Sequence, residues 1–192
     1  MPPNDLDPTS THAGETPAPA PAGSTFARVG LLMYTFLIVY ASWYPFSGWR
    51  SMGLPFWAFL FAPLPYYWTG FDAVTNVIGY IPFGLLVVFA LYPHVRGVPA
   101  AVIATCAGGL LSFTMEAVQT WLPSRVASNL DFLTNEGGAL LGAIAGVMLT
   151  RAFLEQSRLL QLRKQWFVHD AGRGLIVAGL WPLAQIYPQG YL

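Results

Sequence analysis

What most restricts the fold of this chain is the spacing of its charges. No Asp, Glu, Lys or Arg interrupts the sequence between Arg28 and Arg50, between Asp72 and Arg96, between Arg96 and Glu116, or between Glu136 and Arg151. A membrane-crossing helix needs about 20 mostly apolar residues, because hydrocarbon offers no hydrogen-bond partner and the helix must satisfy its own backbone. Residues 29–46, 73–92, 98–122 and 132–150 meet that need, the last with Asp131 at its mouth. A fifth stretch, 174–187, is shorter and holds Trp181-Pro182, so it spans only with a kink or beside a partner. Composition agrees: 55% of residues are hydrophobic and 9% charged, against about 25% charged in an ordinary globular domain. The expected fold class is all-α, a polytopic transmembrane helix bundle with a four-helix core and a fifth helix.

The formal net charge is zero and Lys and Arg form no run, which removes the basis for a nucleic-acid surface. Cys106 is the single cysteine, so an intrachain disulfide and a cysteine-based zinc site are excluded. His12, His94 and His169 fall in separate loop or tail segments and form no metal motif. Neither a metal nor a cofactor is expected.

Basic residues near helix ends are retained on the cytoplasmic side. With the N-terminus cytoplasmic, Arg28, Arg96, Arg151, Arg158, Arg163, Lys164 and Arg173 lie inside, while Arg50 and Arg125 lie outside. The expected location is the cell membrane, crossed several times. Residues 1–25, rich in Pro, Ala, Thr and Ser, are expected to be a disordered cytoplasmic tail. Val39-Tyr40-Ala41 loosely resembles a signal cleavage site, but the leader lacks a basic n-region, which favours an uncleaved anchor helix. Residues 26–153 form the transmembrane core. Residues 154–173 form a cytoplasmic amphipathic connection, suited to an anionic leaflet or to enforcing topology. Residues 174–192 carry the fifth helix, expected to dock weakly on the core or to belong to a longer architecture.

The outer loop before the second span holds Trp49, Phe56, Trp57, Phe59, Phe61, Tyr66, Tyr67 and Trp68 among Pro55, Pro63 and Pro65. Such rings settle at the headgroup level. The segment is either an aromatic anchor or a lid over a lipid-facing site.

Ionisable and amide side chains are costly in hydrocarbon, at about 2.5 to 3.5 kcal/mol for Asp, Lys or Arg at a helix centre. Here they gather at the outer ends of three spans: Asp72 and Asn76 on the second, Glu116 and Gln119 on the third, and Asp131, Asn135 and Glu136 on the fourth. Residues three or four apart share a helix face. Thr105, Gly109, Ser112, Glu116 and Gln119 therefore make one stripe, opposite Ala107, Leu111 and Val118. Asp131, Asn135, Gly138, Gly142 and Ala145 make another, opposite Leu133, Leu140 and Ile144. Gly138, Gly142 and Gly146 form overlapping GxxxG steps that let a neighbouring backbone approach, placing the fourth span at the centre. Glu136 lies off that stripe. Arg125, in the short turn between the third and fourth spans, is in reach of Glu116, Asp131 or Glu136. It either ties the hairpin through those carboxylates or contacts the phosphate or carboxylate of a ligand.

These positions carry a resemblance. Asp72 and Asn76 followed by Pro82-Phe83-Gly84, then Glu116 and Gln119, then Arg125, Asp131, Asn135, Gly138 and Gly142, are similar to the pattern of the VanZ-like family of bacterial membrane proteins, over residues 30 to 150. Glu136 departs from it. The resemblance implies a four-helix core, a cell-envelope role and Asp72, Asn76, Glu116, Gln119, Arg125, Asp131 and Asn135 as signature positions. The family's namesake is associated with resistance to the glycopeptide teicoplanin, and the resemblance supplies no reaction.

Three functions compete. The polar cluster beneath an aromatic segment suits a protein that binds a lipid or lipid-linked glycan at the outer leaflet of the bilayer. A membrane enzyme acting on a phosphorylated or acylated lipid would rely on Glu116 or Asp131 alone, since no Ser-His or Cys-His pair and no phosphate-cradling motif is present. A transporter is disfavoured, because no ionisable relay continues to the inner face. The balance favours binding over catalysis.

Overall fold

The computed structural model describes residues 25–65 and 69–150. The N-terminal tail up to residue 24, Tyr66, Tyr67, Trp68, the amphipathic connection and the fifth span lie outside the described residues. Four helices cover most of what remains: α1 (Thr25–Trp43), α2 (Gly70–Leu91), α3 (Gly97–Gln119) and α4 (Asn129–Thr150). They have 19, 22, 23 and 22 residues, and at about 1.5 Å per residue each is roughly 30 Å long, the thickness of the hydrocarbon core. All four are apolar enough to cross a membrane, and they run up, down, up and down. Among the described residues there is no strand.

Local chemistry sets the helix ends. α2 starts at Gly70 because Thr69 and Asp72 close a capping box: the Thr69 hydroxyl accepts from the Asp72 N–H at 3.1 Å, and Asp72 Oδ2 accepts from the Thr69 N–H at 3.1 Å. Thr69→Ala is expected to cost about 1 kcal/mol, read as a lower unfolding temperature in detergent. α4 starts at Asn129 because the Ser128 hydroxyl accepts from the N–H groups of Leu130 at 3.1 Å and Asp131 at 3.3 Å. α2 stops at Leu91 ahead of Pro93, and α3 stops ahead of Pro123.

The core is a seam of small residues with a few aromatics. Ala100, Ala104, Ala139 and Ala143 are fully buried, with Tyr80 and Phe83 packed among them. α4 is the central helix and lies closest to α2. A methyl on Gly138 would strike the Val77 carbonyl, one on Gly142 the Ile81 carbonyl and one on Gly84 the Ala139 carbonyl, so the two backbones touch. Gly146 sits against Val88 and Leu85. The α4 stripe faces inward as its spacing predicts, with Asn135, Gly138 and Gly142 buried and Leu133, Leu140 and Ile144 exposed. On α3 the buried line is Ala104, Gly108, Ser112 and Glu116. Toward the far end of α3 the inward face thus passes through Ala104 and Gly108 rather than Thr105 and Gly109, because the Ala139 side chain fits against Gly108. Thr105 turns back to the Ala101 carbonyl at 3.0 Å.

α1 is a thinner addition, burying only Ala27 and Ile38 among its residues. It continues through Ala41 to Trp43 as one helix. Tyr34 donates to the Gly79 carbonyl of α2 at 2.8 Å, and Arg28 Nε to Ala90 at 3.4 Å.

The aromatic segment after α1 contains a single turn of 3-10 helix, Ala58–Phe61. Phe59, 3% exposed, plugs it onto the α3–α4 hairpin, its ring 5.6 Å from Phe113 and 6.4 Å from Phe132. Asn129 Nδ2 donates to the Ala62 carbonyl at 2.7 Å, and the Arg50 N–H to Trp121 at 3.0 Å. Trp49, Trp57, Phe61 and Leu64 stay exposed, as an anchor at the headgroup level requires.

Candidate functional site

The C-terminal end of α1 lacks donors. The Ala41 carbonyl would bond the N–H of residue 45 in a continuing helix, but that residue is Pro45. The N–H of Phe46, the regular partner of Ser42, bonds Trp43 instead. Polar side chains from the α3 end fill both gaps. Arg125 Nη2 donates to the Ala41 carbonyl at 2.9 Å and Nε to Tyr44 at 3.1 Å, while Gln119 Nε2 donates to Ser42 at 3.2 Å. The hydrogen bonds of Arg125 therefore go to main-chain carbonyls and not to Glu116, Asp131 or Glu136. In place of a hairpin tie through carboxylates, one of the two readings of its position, Arg125 caps α1, since unpaired terminal carbonyls accept readily from a guanidinium fork.

Glu116 takes the place that a helix usually gives to its own first turn. Ser128, the N-cap of α4, donates its N–H to Glu116 Oε2 across the hairpin at 2.8 Å. In a closed capping box that N–H would go to the carboxylate three residues on, which is Asp131. Asp131 is thereby free, and its Oδ1 accepts instead from Asn76 Nδ2 of α2 at 2.9 Å. Thr134 supports the same Asn76 amide at 3.4 Å. Asp72 presents the opposite case. Its Oδ2 is engaged with both the N–H and the hydroxyl of Thr69, and Asp72 stands at the exposed start of α2 outside the cluster.

One turn deeper, Asn135 Nδ2 donates to Ser112 Oγ at 3.0 Å, and Asn135 Oδ1 is buried without a partner among the described residues. Asn76, Glu116, Gln119, Arg125, Asp131 and Asn135 all border one cleft of about 590 Å³. Its other wall is α1, through Tyr34, Ile38 and Ser42. The first helix is thus part of the site rather than only an anchor. None of the described residues between Trp43 and Thr69 lines the cleft; the described part of the aromatic segment packs on α3 and α4 instead. Glu136 also stands outside it, against Gly109 of α3.

Spacing pointed to Ser112 but not to Ser128, Thr134, Tyr34, Tyr80 or Ser42. A signal for three of these was present: Ser128 precedes Asp131 by the capping interval, and Tyr34, Ile38 and Ser42 recur every four residues along one face of α1. Among the described residues no three or more His, Cys, Asp or Glu side chains gather as metal ligands would.

Four apolar helices of spanning length, with a polar cleft at the end where α1 and α3 finish, define a multi-pass α-helical membrane protein. The VanZ/LLP1 family model matches residues 24–151, and the chain belongs to that family. No curated protein and no solved structure matches it.

Proposed function

We propose that the protein holds the polar head of a lipid or lipid-linked glycan in the cleft between α1 and the other three helices. In this proposal the N-terminus is cytoplasmic and the cleft opens at the outer leaflet of the cell membrane. The carrying observation is the cleft itself, a polar space of about 590 Å³ at one end of an otherwise apolar bundle. Leu37, Ile38 and Val126 share its walls with Arg125, Glu116 and Asp131, a mixture suited to an amphiphile whose head is held by protein while its chains remain in lipid. Arg28 and Arg96 lie at the opposite end of the bundle, as a cytoplasmic face requires. A cell-envelope role, glycopeptide resistance included, follows the family and belongs to the same proposal. Among the described residues Glu116 and Asp131 each keep one carboxylate oxygen without a donor, which favours acid–base chemistry on a bound lipid as the second reading.

The test is retention of lipid by the purified full-length protein, measured by native mass spectrometry. Arg125→Ala is expected to lower retention about tenfold, the scale of one charge-assisted pair, with membrane insertion and unfolding temperature followed in parallel. Undiminished retention in both Arg125→Ala and Glu116→Ala would rule the binding reading out. Release of a chemically altered lipid would establish the enzymatic one.

A further inference from the structure

The protein leaves a particular set of hydrogen-bonding groups unmatched in the cleft. Among the described residues, Asp131 accepts from Asn76 through Oδ1 alone, Glu116 accepts from Ser128 through Oε2 alone, and Asn135 donates to Ser112 while its Oδ1 has no partner. Asn135 is 6% exposed and its Oδ1 is buried, and an unmet acceptor at such depth is costly. All three side chains border the same space. Three acceptors, two of them on carboxylates, are therefore left to a ligand that brings donors and positive charge. At the rim, Arg125 has given Nε and one Nη2 proton to α1, which leaves three of its five N–H groups for an anion.

We propose that the cleft selects a head that carries a primary ammonium a short tether away from a phosphate, with the ammonium among Glu116, Asp131 and Asn135 and the phosphate at Arg125. An ammonium carries three N–H donors, one for each unmet acceptor. The placement of the charges points the same way. Two carboxylates and one guanidinium border the cleft. A phosphate alone would add a second uncompensated anion, and a neutral sugar would leave the carboxylates unpaired. A zwitterion answers both signs. The inference rests on the lipid-binding reading above and names its ligand class.

The full-length protein in detergent is offered lipids with identical acyl chains and phosphoethanolamine, phosphocholine or phosphoglycerol heads, and bound lipid is counted by native mass spectrometry. Phosphocholine has the same charges but no N–H donor, so it isolates the proposed contact. The expected result is at least about tenfold preference for phosphoethanolamine over both others. Asp131→Asn and Glu116→Gln should each reduce that preference. The comparison of heads uses the unaltered chain, so it decides the matter even if a variant does not fold. Displacement by soluble O-phosphoethanolamine would support the proposal with a soluble source for the head. Preference among lipids without such displacement would support it with the bilayer as the source. Equal retention of the three lipids, or preference for phosphoglycerol, overturns the ammonium site and leaves the cleft a lipid site. Retention of none overturns both.

Discussion

Gly142→Leu is expected to stop the bundle from assembling. Even a methyl at this position would overlap the Ile81 carbonyl, and a backbone atom inside a neighbouring helix cannot turn aside as a side chain can. Overpacking an ordinary core costs about 1 to 3 kcal/mol; here the two helices must separate along their length, so the loss should lie at or above the top of that range. The measurement is the fraction of monodisperse protein recovered in detergent together with its unfolding temperature. Gly137→Leu is the matched control, since a Cβ there meets nothing within 4 Å. Equal recovery of the two variants would show that the α2–α4 approach is looser than described.

The second large effect is expected at Glu116, where Ala and Gln should separate structure from binding. Glu116→Ala leaves the Ser128 N–H, in a residue only 7% exposed, without its acceptor. A buried unpaired donor costs about 1 to 3 kcal/mol, and the start of α4 would loosen with it. Glu116→Gln keeps a carbonyl oxygen for that N–H and removes only the charge that faces the cleft. The Ala variant should therefore unfold at lower temperature and also lose lipid, whereas the Gln variant should lose lipid selectivity at nearly native stability. If both variants unfold alike, the Glu116–Ser128 bond contributes nothing and Asp131 owes its freedom to something else.

The course of the helices was legible because apolar runs between charges are long and membrane solvation leaves few alternatives to a helix. Their starts were less so. α2 begins at Gly70 and α4 at Asn129, ahead of the apolar runs at 73 and 132, since Thr69 and Ser128 cap them with polar side chains. The gathering of Asn76, Glu116, Asp131 and Asn135 at one end could be read from their places along the spans. What could not be read is why Asp131 joins the cleft and Asp72 does not. Thr69 with Asp72 and Ser128 with Asp131 are the same local signal, and only the arrival of Glu116 from α3 opens the second box. The partners of Arg125 were equally hidden, because its acceptors lie far back in the sequence and are main-chain atoms. Pro45 was the available clue, since a proline at the end of a helix advertises a carbonyl in need of a donor.

That choice of acceptor bears on how the chain can diverge. Arg125 and Gln119 address α1 through the carbonyls of Ala41, Ser42 and Tyr44, atoms that every amino acid possesses. Substitutions at those three positions leave the fastening intact so long as the helix still ends there. Loss of Pro45 would instead offer the Ala41 carbonyl a main-chain donor and so compete with Arg125 there. Among family members the end of α1 should then drift in identity while Arg125 stays fixed, and the two will leave no correlated pattern of replacements, although they are in direct contact.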